Sequence, residues 1–343
     1  MRHWVVRLGV VTTMIIGSPH LQAEEESSSV DKAREALTQG EGDTDSAQQL
    51  EEVFQAAEKN YSLLKKGKKS LTYAFDYSYF GDQRLDIDIV NGTPRNFDVV
   101  PSAQHTFTNS FSIDFGLLDN LTLSARIPLV AKYDTQEERA NTDWGDVTLT
   151  ARWQPFAYVP GEASYTLFGG FKTKTGTSPY EIDLNRQIST GSGYYSFSGG
   201  ASWSKVLDPV VVFSSLSLSY GVNQTDLNQV RGSLILREVE PANSLSLSTG
   251  FSYALSYDVS LSVSSQLSYS DETRLKLTGT GGASASITAE DQVSGLMSFA
   301  LGIRVSETKI INTSVGFGLT EESPDVLLGV SIPINIDGLK DAE

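Results

Sequence analysis

A strict alternation of apolar and polar residues runs through most of the chain from Leu71 onward. Between 71 and 79 every odd-numbered residue is leucine, phenylalanine or tyrosine, and the residues between them are small or polar. The same period of two recurs in 107–117 and in 121–129, which are separated by an Asp119-Asn120 turn. Because successive side chains of a β-strand point to opposite faces, this period predicts strands with one apolar face.

The predicted strands are long. Twelve segments show the alternation, and most of them are about 9–13 residues long. Strands of soluble proteins average about 5–6 residues, whereas a tilted strand needs about 9–11 to cross a membrane. Strand length therefore favours a membrane protein. The twelve predicted strands are 71–79, 107–117, 121–129, 147–153, 165–171, 195–203, 210–220, 245–255, 259–269, 293–305, 311–319 and 326–336.

The polar face of these strands is rich in serine and poor in charge. The even-numbered residues of 244–252 are four serines and a glycine, and those of 260–268 are four serines and a glutamine. A soluble β-sandwich, the alternative fold, normally carries Lys and Glu on its outer faces. A serine-rich face suits a hydrated lumen enclosed by an apolar exterior. We predict an all-β fold, a transmembrane antiparallel up-and-down β-barrel of about twelve strands with a short N-terminal helix.

The predicted connections alternate between short and long, except that the last one, at 321–324, is short. Short ones lie at 118–120, 160–161, 207–209, 257–258 and 307–308, and long ones at 81–102, 133–143, 176–190, 223–242 and 272–290. Outer-membrane barrels have long extracellular loops, short periplasmic turns and an even strand number. This pattern predicts a barrel over 68–336 with both chain ends in the periplasm, and a periplasmic tail at 337–343.

The N-terminus predicts export. Residues 1–23 combine Arg2 and Arg7 with a short apolar run and end on Ala23, the pattern of a signal peptide. The apolar run is much shorter than the roughly 20 residues of a spanning helix. Residues 24–45 are acidic and serine-rich, which indicates a disordered lead. We expect the mature chain in the outer membrane of a Gram-negative bacterium.

A short amphipathic helix is predicted at 46–67, between the lead and the barrel. Apolar residues recur at spacings of four and three, and Gly67 among lysines is a suitable helix end. Such a seam fits a plug in the pore, a coiled coil or an ordinary amphipathic helix at a domain edge. The seam residues are Leu50, Phe54, Ala57, Tyr61 and Leu64.

The sequence offers no catalytic or metal site. It has no cysteine, which excludes disulfides, thiolate nucleophiles and iron–sulfur centres, and His105 is the sole histidine of the predicted mature chain. We interpret His105 as a surface residue near an aromatic rim. Asp143 to Asp146 reads as a turn and strand entry, because it lacks the further oxygen ligands that calcium needs. A net charge of −16 argues against nucleic-acid binding. We expect no enzyme activity and no cofactor.

The charged residues predicted to face the lumen are the candidate functional residues. A charge in a narrow aqueous pore sets its electrostatic selectivity, because low-dielectric walls focus the field. The alternative is that these charges pair with one another and brace the barrel. By strand alternation the predicted pore-lining charges are Asp76, Asp114, Arg126, Arg152, Lys172, Lys174 and Arg304.

Four segments carry a resemblance to a known family. Residues 50–82, LLDNL at 117–121, ARIPL at 125–129 and WGDV at 144–147 together resemble outer-membrane transporters first associated with the meta-pathway of phenol degradation. The chain is also similar to the secretion channel of the Fap functional-amyloid system. The resemblance, which spans about 50–336, implies a twelve-stranded barrel. For the amyloid channel it further implies a helical plug in the pore and a trimerising periplasmic coiled coil, roles that would fall on the 46–67 helix.

Three functional hypotheses follow. The first is a passive channel for a small hydrophilic or aromatic solute, gated by the N-terminal helix. The second is a secretion channel for an unfolded, amyloid-type polypeptide. The third is a barrel without transport function that presents its extracellular loops. The expected partners are outer-membrane lipid and lipopolysaccharide, the outer-membrane assembly machinery, the cargo and, for a coiled coil, two further copies of the chain.

Overall fold

The computed structural model describes residues 63–90, 93–135, 138–157, 159, 162–183, 186–207, 210–231, 234–256, 258–279, 284–306 and 309–334. For 82–102 and for 306 and 309 it describes the backbone alone. The predicted signal peptide, the disordered lead, residues 46–62 of the predicted helix and the tail at 337–343 lie outside the described residues.

Seventeen β-strands lie in the described part of the chain. They are β1 (Lys69–Val90), β2 (Thr93–Leu118), β3 (Leu121–Asp134), β4 (Arg139–Trp144), β5 (Thr148–Trp153), β6 (Ala163–Lys172), β7 (Ser196–Leu207), β8 (Val210–Gly221), β9 (Gln229–Arg231), β10 (Leu234–Glu240), β11 (Ser244–Ala254), β12 (Val259–Ser270), β13 (Arg274–Gly279), β14 (Ser284–Thr288), β15 (Gln292–Ser306), β16 (Lys309–Gly318) and β17 (Val326–Ile334). No helix of the described residues is long and apolar enough to cross a membrane.

Thirteen of these strands form one closed antiparallel sheet. Strand β1 pairs with β2 on one side and with β17 on the other, which closes the sheet into a barrel. Strands β4 and β5 both pair with β3, at 129–134 and at 121–126, so they share one position in the wall. The barrel therefore has twelve strand positions, and the predicted twelve-stranded antiparallel barrel is confirmed.

Side chains alternate between an apolar outside and a polar inside along the barrel strands. On β11, Leu245 and Leu247 are 42% and 46% exposed, whereas Ser246 and Ser248 are each 3% exposed. Exposed apolar residues and buried polar ones are the reverse of the arrangement in a soluble protein. The other barrel strands show the same arrangement, with Phe197 and Leu218 exposed. An apolar surface of this extent is not stable in water, and lipid is the solvent that matches it.

Aromatic side chains form a rim at the extracellular end of β1, β2 and β3. The His105 ring lies 5.3 Å from Tyr79 and 6.3 Å from Tyr133, measured between centroids. The Tyr77 hydroxyl is 2.9 Å from Nδ1 of His105. Rings with one polar atom favour the boundary between lipid and water. His105 lies in this rim, as its place in the alternation predicted.

Four strands form a second sheet on the extracellular side, in the order β14-β13-β10-β9. They come from the loops at 223–242 and 272–290, for which the alternation predicted no strands. One face of this sheet packs on two tyrosines of the β6–β7 loop. We call the sheet with these tyrosines the cap; its buried core is Tyr180, Tyr194, Leu227, Leu236, Val239, Leu275, Leu277 and Ile287.

The outer face of the cap is charged. The Lys276 ammonium lies 2.6 Å from the Glu240 carboxylate and 3.0 Å from that of Glu238. These hydrogen bonds raise the pKa of Lys276, and the bond from Lys276 lowers the pKa of Glu240. The cap thus has an apolar core on one side and a solvated ionic face on the other.

The end of the predicted N-terminal helix is not helical. Residues 63–65 have no regular structure, and Lys66 and Gly67 form a turn that leads into β1. Gly67 has φ +79°, a left-handed conformation that glycine adopts without strain. The prediction that Leu64 belongs to the helix seam is therefore wrong, because this segment bonds to the barrel wall.

Leu236→Ala is expected to loosen the cap and leave the barrel intact. Leu236 is fully buried, and such a truncation costs about 2–5 kcal/mol in a packed core. Limited proteolysis of the purified protein in detergent should cut the cap faster, while the heat-modifiable electrophoretic band of the folded barrel persists. The lipid-facing Leu218→Ala is the control, because that side chain is 62% exposed. Equal cutting of the two variants would contradict a cap with its own core.

Candidate functional site

The bore of the barrel has a neutral, hydroxyl-lined side. The inward residues of β7, β8, β11, β12 and β15 are mostly serines, and hydroxyl pairs bridge neighbouring strands. The Oγ atoms of Ser246 and Ser268 are 2.8 Å apart, as are those of Ser264 and Ser298. The buried serines of these strands are Ser196, Ser202, Ser215, Ser244, Ser246, Ser248, Ser268, Ser270, Ser294 and Ser298.

The side of the bore built from β1, β2, β3 and β5 carries charge. An internal cavity of about 220 Å³ lies against these strands and against β16 and β17. Among its lining residues are two carboxylates and two guanidinium groups, namely Asp76, Asp114, Arg126 and Arg152. Four of the seven charged residues predicted to face the pore are therefore brought together in one place. Whether they set the selectivity of a pore stays a prediction.

Arg152 and Asp114 form a tight ion pair. Nη2 of Arg152 donates to Oδ1 of Asp114 at 2.7 Å and to the Ser124 hydroxyl oxygen at 2.8 Å. The Ser124 hydroxyl in turn donates to the Asp114 carboxylate. The Arg152 side chain is 4% exposed and that of Asp114 is 11% exposed. Ionic groups this deeply buried depend on each other, because either one alone would lack a compensating charge.

Arg126 and Asp76 form a looser pair. Nη2 of Arg126 lies 3.6 Å from Oδ2 of Asp76, beyond hydrogen-bond distance, and the two side chains are 20% and 13% exposed. The pair spans the wall across β2, since Asp76 is on β1 and Arg126 on β3. The two ion pairs of the cavity thus differ in hydrogen bonding: the Arg152 guanidinium donates to its carboxylate partner, and the Arg126 guanidinium does not.

The remaining predicted pore residues lie elsewhere. Lys172 is a buried inward residue at the extracellular end of β6, and its Nζ lies 5.3 Å from the Tyr194 ring centroid. Lys174 follows the end of β6, so the prediction that it shares a strand face with Lys172 is wrong; its Nζ donates to Oε1 of Gln224 at 2.9 Å. Arg304 is exposed, and its backbone N–H bonds Asp258 O beside a short turn.

The chain enters the bore just before β1. The Leu64 N–H donates to the inward Thr122 hydroxyl at 2.9 Å, and Leu64 lines the charged cavity. Gly67 N–H bonds Gly116 O at 2.7 Å, and Gly116 N–H bonds Lys68 O at 2.9 Å. A Cβ at Gly116 would lie 2.2 Å from the Lys65 carbonyl oxygen. Glycine at this position of β2 is therefore what lets the segment at 64–68 lie against the inner wall.

The barrel wall has a seam where β4 gives way to β5. Strand β6 ends at Lys172, and in the described part of the chain β4 pairs with β3 alone. Beside β4, hydroxyl groups of the β6–β7 loop form hydrogen bonds with the backbone of the 145–147 segment. The Val147 N–H donates to Oγ1 of Thr173 at 3.1 Å and of Thr175 at 2.9 Å. The hydroxyl of Thr175 then donates to Gly145 O at 2.9 Å.

Asp146 fastens the same loop to the seam. Its buried carboxylate accepts hydrogen bonds from Gly176 N–H at 2.9 Å, Ser192 N–H at 2.7 Å and the Ser192 hydroxyl at 2.7 Å. A Cβ at Gly191 would lie 2.6 Å from Oδ1 of Asp146. Asp143 and Trp144 are the last residues of β4, so the interpretation of 143–146 as a turn and strand entry is wrong for these two; Gly145 and Asp146 lie in the connection that leads into β5. The role of Asp146 in closing the wall depends on residues 30 to 46 positions away.

Gln266 is an inward residue that sequence reasoning did not single out. It is 4% exposed, and neither polar atom of its amide has a hydrogen-bond partner. Its position opposite Ser248 in a row of serines was visible in the alternation. No group of three metal-ligating residues occurs among the described residues.

These features define the class of protein. A closed twelve-stranded barrel with an apolar exterior, a polar bore and long loops at one end is an outer-membrane β-barrel. The family described as "Putative MetA-pathway of phenol degradation" matches residues 79–336, more than half of the chain. The protein belongs to this family.

Three solved structures of outer-membrane proteins are similar to this chain. The COG4313 outer membrane channel from Pseudomonas putida F1 is 14% identical, with a TM-score of 0.60 over 80% of this chain and 97% of that one. The translocator domain of the autotransporter NalP from Neisseria meningitidis is 12% identical, with a TM-score of 0.48 over 90% and 98%. The toluene transporter TodX of Pseudomonas putida is 7% identical, with a TM-score of 0.41 over 79% and 88%. At 14% identity and a TM-score of 0.60, the COG4313 channel shows that this chain has the same barrel architecture.

Asp114→Asn is expected to destabilise the barrel by about 3–5 kcal/mol, because it leaves the buried Arg152 charge without its counterion. Urea unfolding in detergent micelles, followed by tryptophan fluorescence, measures this loss. Asp76→Asn is the matched control and should cost less than Asp114→Asn, since its ion pair with Arg126 is longer and the Arg126 side chain is more exposed than that of Arg152. A double variant, Asp114→Leu with Arg152→Met, should recover much of the loss. Equal destabilisation by Asp114→Asn and Asp76→Asn would contradict the distinction between the two pairs.

Proposed function

We propose that the protein is a passive outer-membrane channel for a small aromatic or hydrophilic solute. The bore is the observation that carries this proposal. It combines a hydroxyl-lined wall with an internal cavity of about 220 Å³ that contains both charged and apolar groups. Pockets for drug-sized ligands are usually about 300–1,000 Å³, so this cavity suits a single ring or a short chain. A family named for phenol degradation is in keeping with an aromatic solute.

A liposome-swelling assay tests transport directly. Liposomes that contain the purified protein should swell in isotonic arabinose faster than protein-free liposomes, because a polar bore admits this sugar and the lipid does not. Swelling should slow as solute size increases from arabinose to a disaccharide. The same rates with and without protein would favour the alternative of a barrel that presents its loops and transports nothing. The cap, with a core of its own, is the feature that supports this alternative.

We further propose that the segment before β1 gates the channel from the periplasmic side. The support comes from its last residues: Leu64 lines the cavity, and 64–68 lie against Thr122 and Gly116 of the inner wall. These contacts hold residues 64–68 at the bore. The occluding surface is proposed to come from apolar seam residues of the predicted N-terminal helix. These are Leu50, Phe54, Ala57 and Tyr61, which lie outside the described residues.

Deletion of 46–62 is expected to raise single-channel conductance in planar bilayers several-fold, because it removes the proposed plug while the contacts of Leu64 to Lys68 stay in place. Deletion of 24–45 is the control of similar length and should leave the conductance unchanged. An unchanged conductance after deletion of 46–62 would reject the plug. A pore wide enough to pass an extended peptide would instead favour secretion of an unfolded polypeptide, the alternative suggested by the Fap resemblance.

A further inference from the structure

Two arginines line the charged cavity, and they use their donors very differently. Arg152 is bonded to both Asp114 and Ser124. Within the part of the chain that the structure describes, the Arg126 guanidinium donates no hydrogen bond, and its ion pair with Asp76 is 3.6 Å long. A guanidinium has five N–H donors in a planar fork and no acceptor. The N–H groups of the Arg126 guanidinium are therefore available to a ligand in the cavity as an open fork of hydrogen-bond donors.

The surroundings of Arg126 combine one more polar group with an apolar patch. The Ser110 hydroxyl oxygen lines the same cavity, is buried in a residue that is 1% exposed, and has no hydrogen-bond partner. Apolar side chains line the cavity as well: Leu64 from the segment before β1, Ile310 from β16 and Pro333 from β17. A ligand that satisfies the polar groups and also covers this patch must itself be amphipathic.

The chemistry of the open fork selects the polar end of such a ligand. Because guanidinium groups only donate, the best partner supplies two acceptor oxygens in one plane, as a carboxylate does. A neutral hydroxyl supplies a single acceptor and brings no compensating charge. The Arg152 guanidinium is paired with Asp114 at 2.7 Å, so its charge is already compensated.

We infer that this cavity binds the carboxylate of a small acid with an apolar body, and that Arg126 is the carboxylate ligand. The inference rests on the proposed channel function and names a substrate class for it. The Ser110 hydroxyl donates a second hydrogen bond to the bound carboxylate. Asp76 opposes the ligand by like-charge repulsion, which keeps the site weak enough for a solute to leave again.

Benzoate and its neutral analogue benzyl alcohol test the site by titration calorimetry on the full-length protein in detergent. The wild type should bind benzoate at least about tenfold more tightly than benzyl alcohol, the difference expected for a charge-assisted bidentate pair. Arg126→Gln should weaken benzoate binding about tenfold and leave benzyl alcohol unaffected. Asp76→Asn should strengthen benzoate binding, a gain that a misfolded variant does not produce. Arg186→Gln removes an exposed extracellular cation and is the charge-matched control.

Equal affinity for benzoate and benzyl alcohol, or unchanged benzoate binding in Arg126→Gln, would overturn the carboxylate site. Liposome swelling separates this outcome from a failure of the channel. Wild-type swelling in arabinose together with unchanged benzoate binding in Arg126→Gln would reject the site and keep the channel. Calorimetric benzoate binding that depends on Arg126, in a protein that admits no solute, would support the site and reject the transport proposal.

Discussion

The closed backbone ladder is the constraint on which the rest of the structure depends. In lipid, each unpaired N–H or C=O costs several kcal/mol, so a membrane-spanning sheet must close on itself. Pairing of β1 with β17 achieves this closure. In the part of the chain that the structure describes, β4 pairs with β3 alone, and beside it threonine hydroxyls and Asp146 bond the β6–β7 loop to the 145–147 segment. The β6–β7 loop is thus part of the barrel wall as well as of the cap.

Closure of the barrel also determines which side chains line its interior. Outward positions are occupied by apolar groups, so charge and hydroxyls accumulate inside, where groups on neighbouring strands pair many of them. The two halves of the bore solve this differently: one pairs serine with serine, and the other pairs carboxylates with guanidinium groups. A neutral wall opposite a charged wall orients an amphipathic solute, because its polar end is attracted to one side of the bore alone.

Sequence alone predicted what depends on local periodicity. Alternation fixes the direction of each side chain, so Asp76 and Arg152 could be assigned to the interior before any fold was known. It could not predict the cap, whose short strands pair across long separations, as Leu236 does with Leu277. Leu64 was placed in a helix because its spacing fits a heptad, yet its N–H bonds Thr122, 58 residues away. The prediction that Lys174 shares a strand face with Lys172 was wrong for a related reason: nothing in the spacing of the two lysines marks the end of β6.

The bore is contacted at both ends by parts of the chain outside its wall. At the periplasmic end, 64–68 lie on Gly116, and at the other end Tyr194 of the cap lies over the inward Lys172. These two contacts differ in strength. The cap has a core of eight buried hydrophobic residues of its own, whereas the segment at 64–68 is bound by a few hydrogen bonds to β2 and β3. Because low local stability accompanies conformational change, the periplasmic contact is the one that a gating motion would break first.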